Sequence, residues 1–120
     1  MTEVELVVQS IGDVVVVNLG SSAILDGITV EAVARRLFEL VDQQARRKIL
    51  LDFSQVKFLS SSMLGVLIRL QKRSGAIKGR VVICGLRPEL HKVFKITRLD
   101  KVLEFADTEE TALKMLNVTT

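Results

Sequence analysis

The residues best suited to chemistry are three consecutive serines, Ser60-Ser61-Ser62, set between two apolar stretches. Upstream run Ile49-Leu50-Leu51-Asp52-Phe53 and then the spaced pair Val56 and Phe58; downstream run Met63-Leu64-Gly65-Val66-Leu67-Ile68. An apolar strand, a polar loop, hydroxyls and a helix start would place serine side chains at a helix N-terminus, where the first backbone N–H groups lack partners. Two chemistries suit that position. A serine can cap the helix by accepting a bond from a first-turn amide, a contribution of about 0.5–2 kcal/mol. The positive end of the helix dipole also tolerates an anion, so a phosphoryl group on a first-turn serine would be accommodated. Its charge of about −1.5 to −2 would then act outward on whatever docks there. Residue types alone leave both readings open.

Other chemistries find fewer parts. The glycine-rich dinucleotide fingerprint and the phosphate loop ending in Lys-Ser/Thr are both missing. One histidine and one cysteine, on different elements, make no metal-ligand cluster. His91, between Leu90 and Lys92, reads as a surface residue of a short helix. Ser61, His91 and Asp52 supply the residue types of a hydrolytic triad, but no pattern positions an oxyanion hole. Asp52 follows a strand alone, without the acidic pair that a receiver domain needs to hold magnesium. Cys84, inside Val81-Val82-Ile83-Cys84, reads as a small buried hydrophobe, and a single cysteine fits a reducing compartment. The expectation is a binding domain with no catalytic residue, metal or cofactor.

The totals agree with one ordinary domain over residues 1–120. An apolar content of 48% with 26% charged residues excludes disorder. The net charge of +3 comes without tryptophan or tyrosine, so no basic stripe interleaved with aromatics supports direct nucleic-acid binding. No apolar run approaches the roughly 18–20 residues that span a bilayer. Met1-Thr2-Glu3 lacks the basic start of a signal peptide. A soluble, cytoplasmic protein is expected.

The elements that must position the serines can be read in order. Residues 4–8 alternate as a strand, and Ile11-Gly12-Asp13 forms a hairpin turn. The β-branched run 14–19 predicts a strand buried on both faces. Residues 20–28 form a loop. Thr29 is the expected N-cap of an amphipathic helix carrying Val30, Val33, Leu37, Leu40 and Val41 inward. Arg46-Arg47-Lys48 would close it at the negative end of the dipole. A strand at 48–53 leads to a helix at about 61–74 that is apolar almost all round up to Arg69. Such a helix is either sandwiched in the core or offers a face to a partner.

A strand at 80–84 follows, then a short helix opened by Pro88 that breaks near Thr97-Arg98. Residues 102–105 form a last strand, and Asp107, with Glu110 three residues on, caps the final helix. The order β-β-α-β-α-β-α-β-α predicts a single α/β domain. Its mixed, mostly parallel sheet carries an N-terminal antiparallel hairpin, with helices packed against it.

The string LDFSQVKFLSSSMLGVLIRLQKR resembles the signature of the STAS domain, named for sulfate transporters and anti-sigma factor antagonists. There an apolar strand ending in Asp-Phe/Leu-Ser leads through Val-x-Phe to Asp-Ser-Ser-Gly-Leu-Gly at the head of a helix. The resemblance extends over nearly the whole chain: the hairpin, the loop with Leu25-Asp26, VVICGLRPELHKVFKITRL and the Glu-Glu-Thr-Ala-Leu helix fall in the same order. It sets Ser60 on the family's Asp, Ser61 on its phosphorylatable Ser, Ser62 on the second Ser and Met63 on the Gly. Asp26 matches an acidic loop residue near the switch serine and the partner surface.

The implied function is partner switching. The unmodified protein would bind an anti-sigma factor serine kinase and so release the sigma factor. Phosphorylation of Ser61 by that kinase would break the complex, and a phosphatase would reset it. The ATP belongs to the kinase, so no cofactor is implied here. Asp26, Ser60, Ser62 and Met63 are the expected partner-binding residues, Met63 because a first helical turn is usually exposed. Two positions depart from the pattern: Ser60 removes an acidic charge beside the acceptor, and Met63 replaces a glycine. A second reading, in which the same face binds constitutively within a signalling scaffold or transport complex, uses the same fold. A third, nucleotide binding, lacks a phosphate loop.

Overall fold

β-branched and aliphatic runs set the sheet. The computed structural model describes residues 6–19 and 27–117, with side chains from residue 30 onward in the second span. Strands β1 (Leu6–Ile11) and β2 (Val14–Leu19) pair antiparallel through a two-residue turn, with Ile11 opposite Val14. Gly12 enters that turn at φ 58°, a conformation that costs glycine little. Helix α1 (Gly27–Asp42) crosses over to β3 (Lys48–Asp52), and α2 (Ser61–Ala76) to β4 (Arg80–Cys84). Helix α3 (Pro88–Ile96) and a 3₁₀ turn (Leu99–Lys101) lead to β5 (Glu104–Ala106), and α4 (Glu109–Met115) follows. The strand order is β1-β2-β3-β4-β5, parallel from β2 onward. The expected architecture is the one observed.

Alternation along the strands divides the core in two. Val15, Val17, Ile49, Leu51, Val81 and Ile83 pack with the apolar stripes of α1, α2 and α3. Val14, Val16, Leu50, Val82 and Cys84 pack on the other face with Ala112 and Leu116 of the α4 region. That is why β2, β3 and β4 read as continuous apolar runs rather than alternating ones. Arg80 ties this second layer down: its guanidinium donates to both Glu104 carboxylate oxygens, at 2.5 and 3.1 Å, and to the Met115 carbonyl at 2.5 Å.

Several boundaries differ from the expectation. β1 runs to Ile11, so the turn is Gly12-Asp13 alone; residues 1–5 lie outside the described residues. Helix α1 ends at Asp42 rather than at the 46–48 cations. Ala45 reverses the chain at φ 50°, and the Arg46 N–H returns to the Leu40 carbonyl at 2.8 Å. Lys48 does not close α1; it opens β3, as the strand expected at 48–53 has it, and pairs with Asp13 at 2.6 Å. Thr29 lies inside α1 rather than before it, with its side chain outside the described residues.

Toward the C-terminus, Arg98 at φ 61° starts the 3₁₀ turn, and the Val102 N–H bonds back to Leu99. That takes residues 102–103 out of the expected strand. Helix α4 is capped by Thr108, not Asp107: its Oγ1 accepts from the Thr111 N–H at 3.1 Å. Asp107 and Thr108 are both good caps, and only the path of the chain out of β5 separates them.

Candidate functional site

Parallel strands β3 and β4 deliver their loops to the same edge of the sheet, the edge where ligands gather in α/β folds. At the end of β3 the Asp52 carboxylate accepts from the Ser54 N–H at 2.9 Å, an Asx turn that bends the chain at once. The Phe53 N–H donates to the Cys84 carbonyl at 2.9 Å, carrying the β3–β4 ladder one step beyond the strands. Phe53 and Val56 are fully buried and pin the loop to the core. Gly85, at φ 74°, passes close by: a Cβ there would lie 3.1 Å from both Asp52 Oδ1 and the Ser54 nitrogen. Any other residue would be strained at that φ and would crowd the turn.

This anchored loop presents the serines. Ser60 has extended backbone (φ −81°, ψ 163°), and its Oγ accepts from the Met63 N–H at 3.1 Å. Its carbonyl takes the Leu64 N–H at 3.2 Å, so Ser60 is the N-cap and α2 begins at Ser61. Ser61 and Ser62 are exposed, and among the described residues nothing hydrogen-bonds the Ser61 hydroxyl. The two chemistries open at the sequence level are thus divided between neighbours: Ser60 caps, and Ser61 stands clear.

Met63 corrects an expectation. Its side chain is 0% exposed, in the stripe Met63, Val66, Leu67, Leu70 and Ser74 that packs on the sheet. A partner cannot touch it without unpacking α2; the residue anchors the first turn. Asp26 lies outside the described residues.

The remaining candidates do not converge on Ser61. Asp52 is committed to its own turn. His91 is half-buried, with its ring 6.0 Å from that of Phe105 on β5, rather than lying free on the surface. Cys84 is buried, and its thiol is pushed up to about 12, first by burial and then by the carboxylates of Asp52 and Glu109. It stays neutral at ordinary pH and is no nucleophile.

Two surface features flank the corner that the sequence reading did not single out. Between α1 and α2 runs a groove of about 700 Å³ that ends at Ser62 and Gly65, with Phe38 on its wall. Arg73, paired with Asp42, lies over the Phe38 ring, 4.2 Å from its centre, and Arg69 lies 5.8 Å away. On the other flank Phe58 is 57% exposed beside a recess of about 370 Å³ shared with Leu59, Arg87 and Leu90. The signal for Phe58 was its alternation with a buried Val56. No helix among the described residues is long and apolar enough to cross a membrane.

Comparison with known proteins agrees with this geometry. The family model for the STAS domain matches residues 5–112. A Bordetella bronchiseptica protein carrying the name anti-sigma factor antagonist BtrV is 30% identical over 93 residues, 75% of this chain and 80% of that one. The anti-sigma F factor antagonist of Paenibacillus polymyxa is 28% identical over 94 residues, 78% of this chain and 80% of that one. The structure of an anti-sigma-factor antagonist (STAS) domain protein from Planctomyces limnophilus superposes with a TM-score of 0.84 at 25% identity. It covers 96% of this chain and 99% of that one. By a family model spanning most of its length, and with the matching fold, this chain belongs to the STAS domain family.

Proposed function

We propose that the protein is an anti-sigma factor antagonist that switches partners through phosphorylation of Ser61. The observation that carries this reading is the division at the head of α2: Ser60 takes the cap, leaving the exposed Ser61 hydroxyl unengaged by any described residue. The names borne by the relatives supply the class of partner.

In the unmodified state the Ser61 corner docks on an anti-sigma factor serine kinase, with Ser60, Ser62 and Asp26 on the contact surface. The kinase then transfers the γ-phosphoryl group of its own ATP to Ser61 Oγ, and the hydroxyl proton leaves to a base of the kinase. The new phosphoester brings a charge of about −1.5 to −2 to an edge the partner had covered. Raising the dissociation constant a hundredfold requires only about 2.8 kcal/mol. The helix itself accommodates the charge, since first-turn amides and the dipole favour an anion. Switching therefore comes from charge and shape at the interface, not from unfolding α2. A phosphatase hydrolyses the ester and restores the hydroxyl; this chain acts as ligand and substrate.

Incubation with the cognate anti-sigma factor kinase and ATP, followed by peptide mass spectrometry, tests the reading. Phosphate on Ser61, its loss in Ser61→Ala, and kinase affinity at least about a hundredfold weaker for Ser61→Asp are expected. Ser61→Asp binding as tightly as the wild type would show a constitutive interaction module instead.

A further inference from the structure

Residues 91–102 carry a local excess of exposed positive charge. Of seventeen cations and fourteen carboxylates, residues 91–102 hold Lys92, Lys95, Arg98 and Lys101 against Asp100 alone. The stretch 53–88 is also basic, but there Arg73 pairs with Asp42 and Arg80 with Glu104. All four cations are exposed, and no described residue forms an ion pair or hydrogen bond with their side chains. Lys92, Lys95 and Ile96 follow the spacing of one helix face, opposite the buried Leu90 and Phe94. Arg98 then turns the chain into the 3₁₀ segment that carries Lys101.

Two apolar side chains stand among these charges. Ile96 is 82% exposed and Val102 49%. Cations at a helix C-terminus complement the dipole, which accounts for Lys95 in the last turn of α3. The dipole does not call for a bare isoleucine there, nor for Lys101 beyond the helix end. An aliphatic knob ringed by unpaired cations is the pattern of an interface, with apolar contact at the centre and charge at the rim.

We infer that the outer face of α3 and the following turn form a second docking surface, for an acidic protein surface with a recess that takes Ile96. A lipid surface fits less well: the chain has no tryptophan or tyrosine to anchor at a headgroup layer, and the apolar tips are β-branched aliphatics. Single-stranded nucleic acid would want stacking aromatics between the cations, and the patch has none; duplex phosphates would engage the cations and leave Ile96 without an apolar contact.

Its place in the fold gives the surface its use. Helix α3 leaves the Ser61 edge at Pro88 and runs back toward the opposite edge, about 13 Å for its nine residues. A partner seated at Ile96 therefore engages the end of α3 that points away from the edge carrying Ser61. The surface goes beyond the switch at Ser61 and does not depend on it.

The probe is a synthetic amphipathic helical peptide of glutamate and leucine, with a glutamate–serine peptide of equal charge as reference. Binding to the full chain is followed by fluorescence anisotropy at low and physiological salt. The leucine-bearing peptide should bind several-fold tighter than the reference. Lys92→Glu/Lys95→Glu/Arg98→Glu should weaken it by about tenfold or more and flatten its salt dependence. Ile96→Ser should remove the leucine preference while keeping the salt dependence, and Ser61→Asp should leave binding unchanged. Circular dichroism confirms that each variant is folded, and Ile96→Ser is a single change at an exposed position should the triple variant fail. Equal binding by the charge-reversed chain, no preference for leucine, or tighter binding to phosphatidylglycerol vesicles or duplex DNA overturns the proposal.

Discussion

Helices α2 and α4 begin the same way and differ in the next residues. Ser60 accepts from the Met63 N–H at 3.1 Å, and Thr108 accepts from the Thr111 N–H at 3.1 Å. After the cap, α4 places Glu109 and Glu110 in its first turn, whereas α2 has no acidic residue there and offers Ser61 and Ser62 instead. A carboxylate at a helix N-terminus offsets the positive dipole end; α4 has that charge built in and α2 lacks it. Capping alone therefore does not mark a switch. On the proposed reading, the mark is a capped helix whose first turn carries an exposed hydroxyl where a negative charge would be welcome. A phosphate on Ser61 would fill in α2 the role that Glu109 and Glu110 fill in α4.

The largest effect that would sharpen this comparison lies at Met63, the residue each model of the corner must assign. Met63→Ala should cost about 2–5 kcal/mol in urea unfolding, because it empties a fully buried site under the first turn. Ser62→Ala, at the exposed neighbouring position, should change stability by less than about 0.5 kcal/mol. If Met63→Ala unfolded at wild-type denaturant concentrations, Met63 would be a surface residue and available to a partner after all.

The signal for its burial was present in the sequence. Met63, Val66, Leu67 and Leu70 continue one helical stripe, and the phase of that stripe outweighs the general exposure of first turns. The strands were legible for a similar reason: runs such as Val14-Val15-Val16-Val17 and Val81-Val82-Ile83-Cys84 permit little but a sheet covered on both faces. Less legible were the ends. The start of β3 at Lys48 could be read, but nothing local tells that Ala45 would turn left-handed and end α1 at Asp42, before the 46–48 cations. The choice of Thr108 over Asp107 was a one-residue matter between equivalent caps. At the site, the serines, their helix and their loop could be read; the resemblance sets Ser61 on the family's acceptor, and the proposed phosphorylation is what tests that role. The groove wall formed by Phe38 and Arg69 could not be read, because it joins residues far apart in sequence, whereas the exposure of Phe58 had its signal in the alternation with Val56.

A smaller effect separates cap from switch. Ser60→Ala should destabilise the protein by about 1 kcal/mol, and Thr108→Ala by a similar amount, since each removes one side-chain acceptor from a first-turn amide. Ser61→Ala should leave thermal unfolding nearly unchanged while removing phosphorylation. Should Ser61→Ala cost as much as Ser60→Ala, the hydroxyl would be structural, and the division between the two serines would collapse.

The smallest effect bears most directly on whether α2 would hold a phosphate, as proposed. Ser61→Asp puts one negative charge into the first turn of α2, as Glu109 and Glu110 do in α4. It should stabilise the isolated protein by about 0.3–1 kcal/mol at low salt, with the gain shrinking as salt is added. Glu109→Gln together with Glu110→Gln should move α4 the other way by a comparable amount. The two results together would make the α2 N-terminus a charge-accepting end that the sequence leaves open. They would also separate the consequences of a phosphate: the domain would hold or gain stability while its complex with the kinase weakens by orders of magnitude. Loss of stability in Ser61→Asp, with α4 behaving as expected, would instead locate the switch in a disrupted helix. Partner release would then follow from local unfolding of the first turn, and hydrogen exchange at the Met63 and Leu64 amides would reveal it.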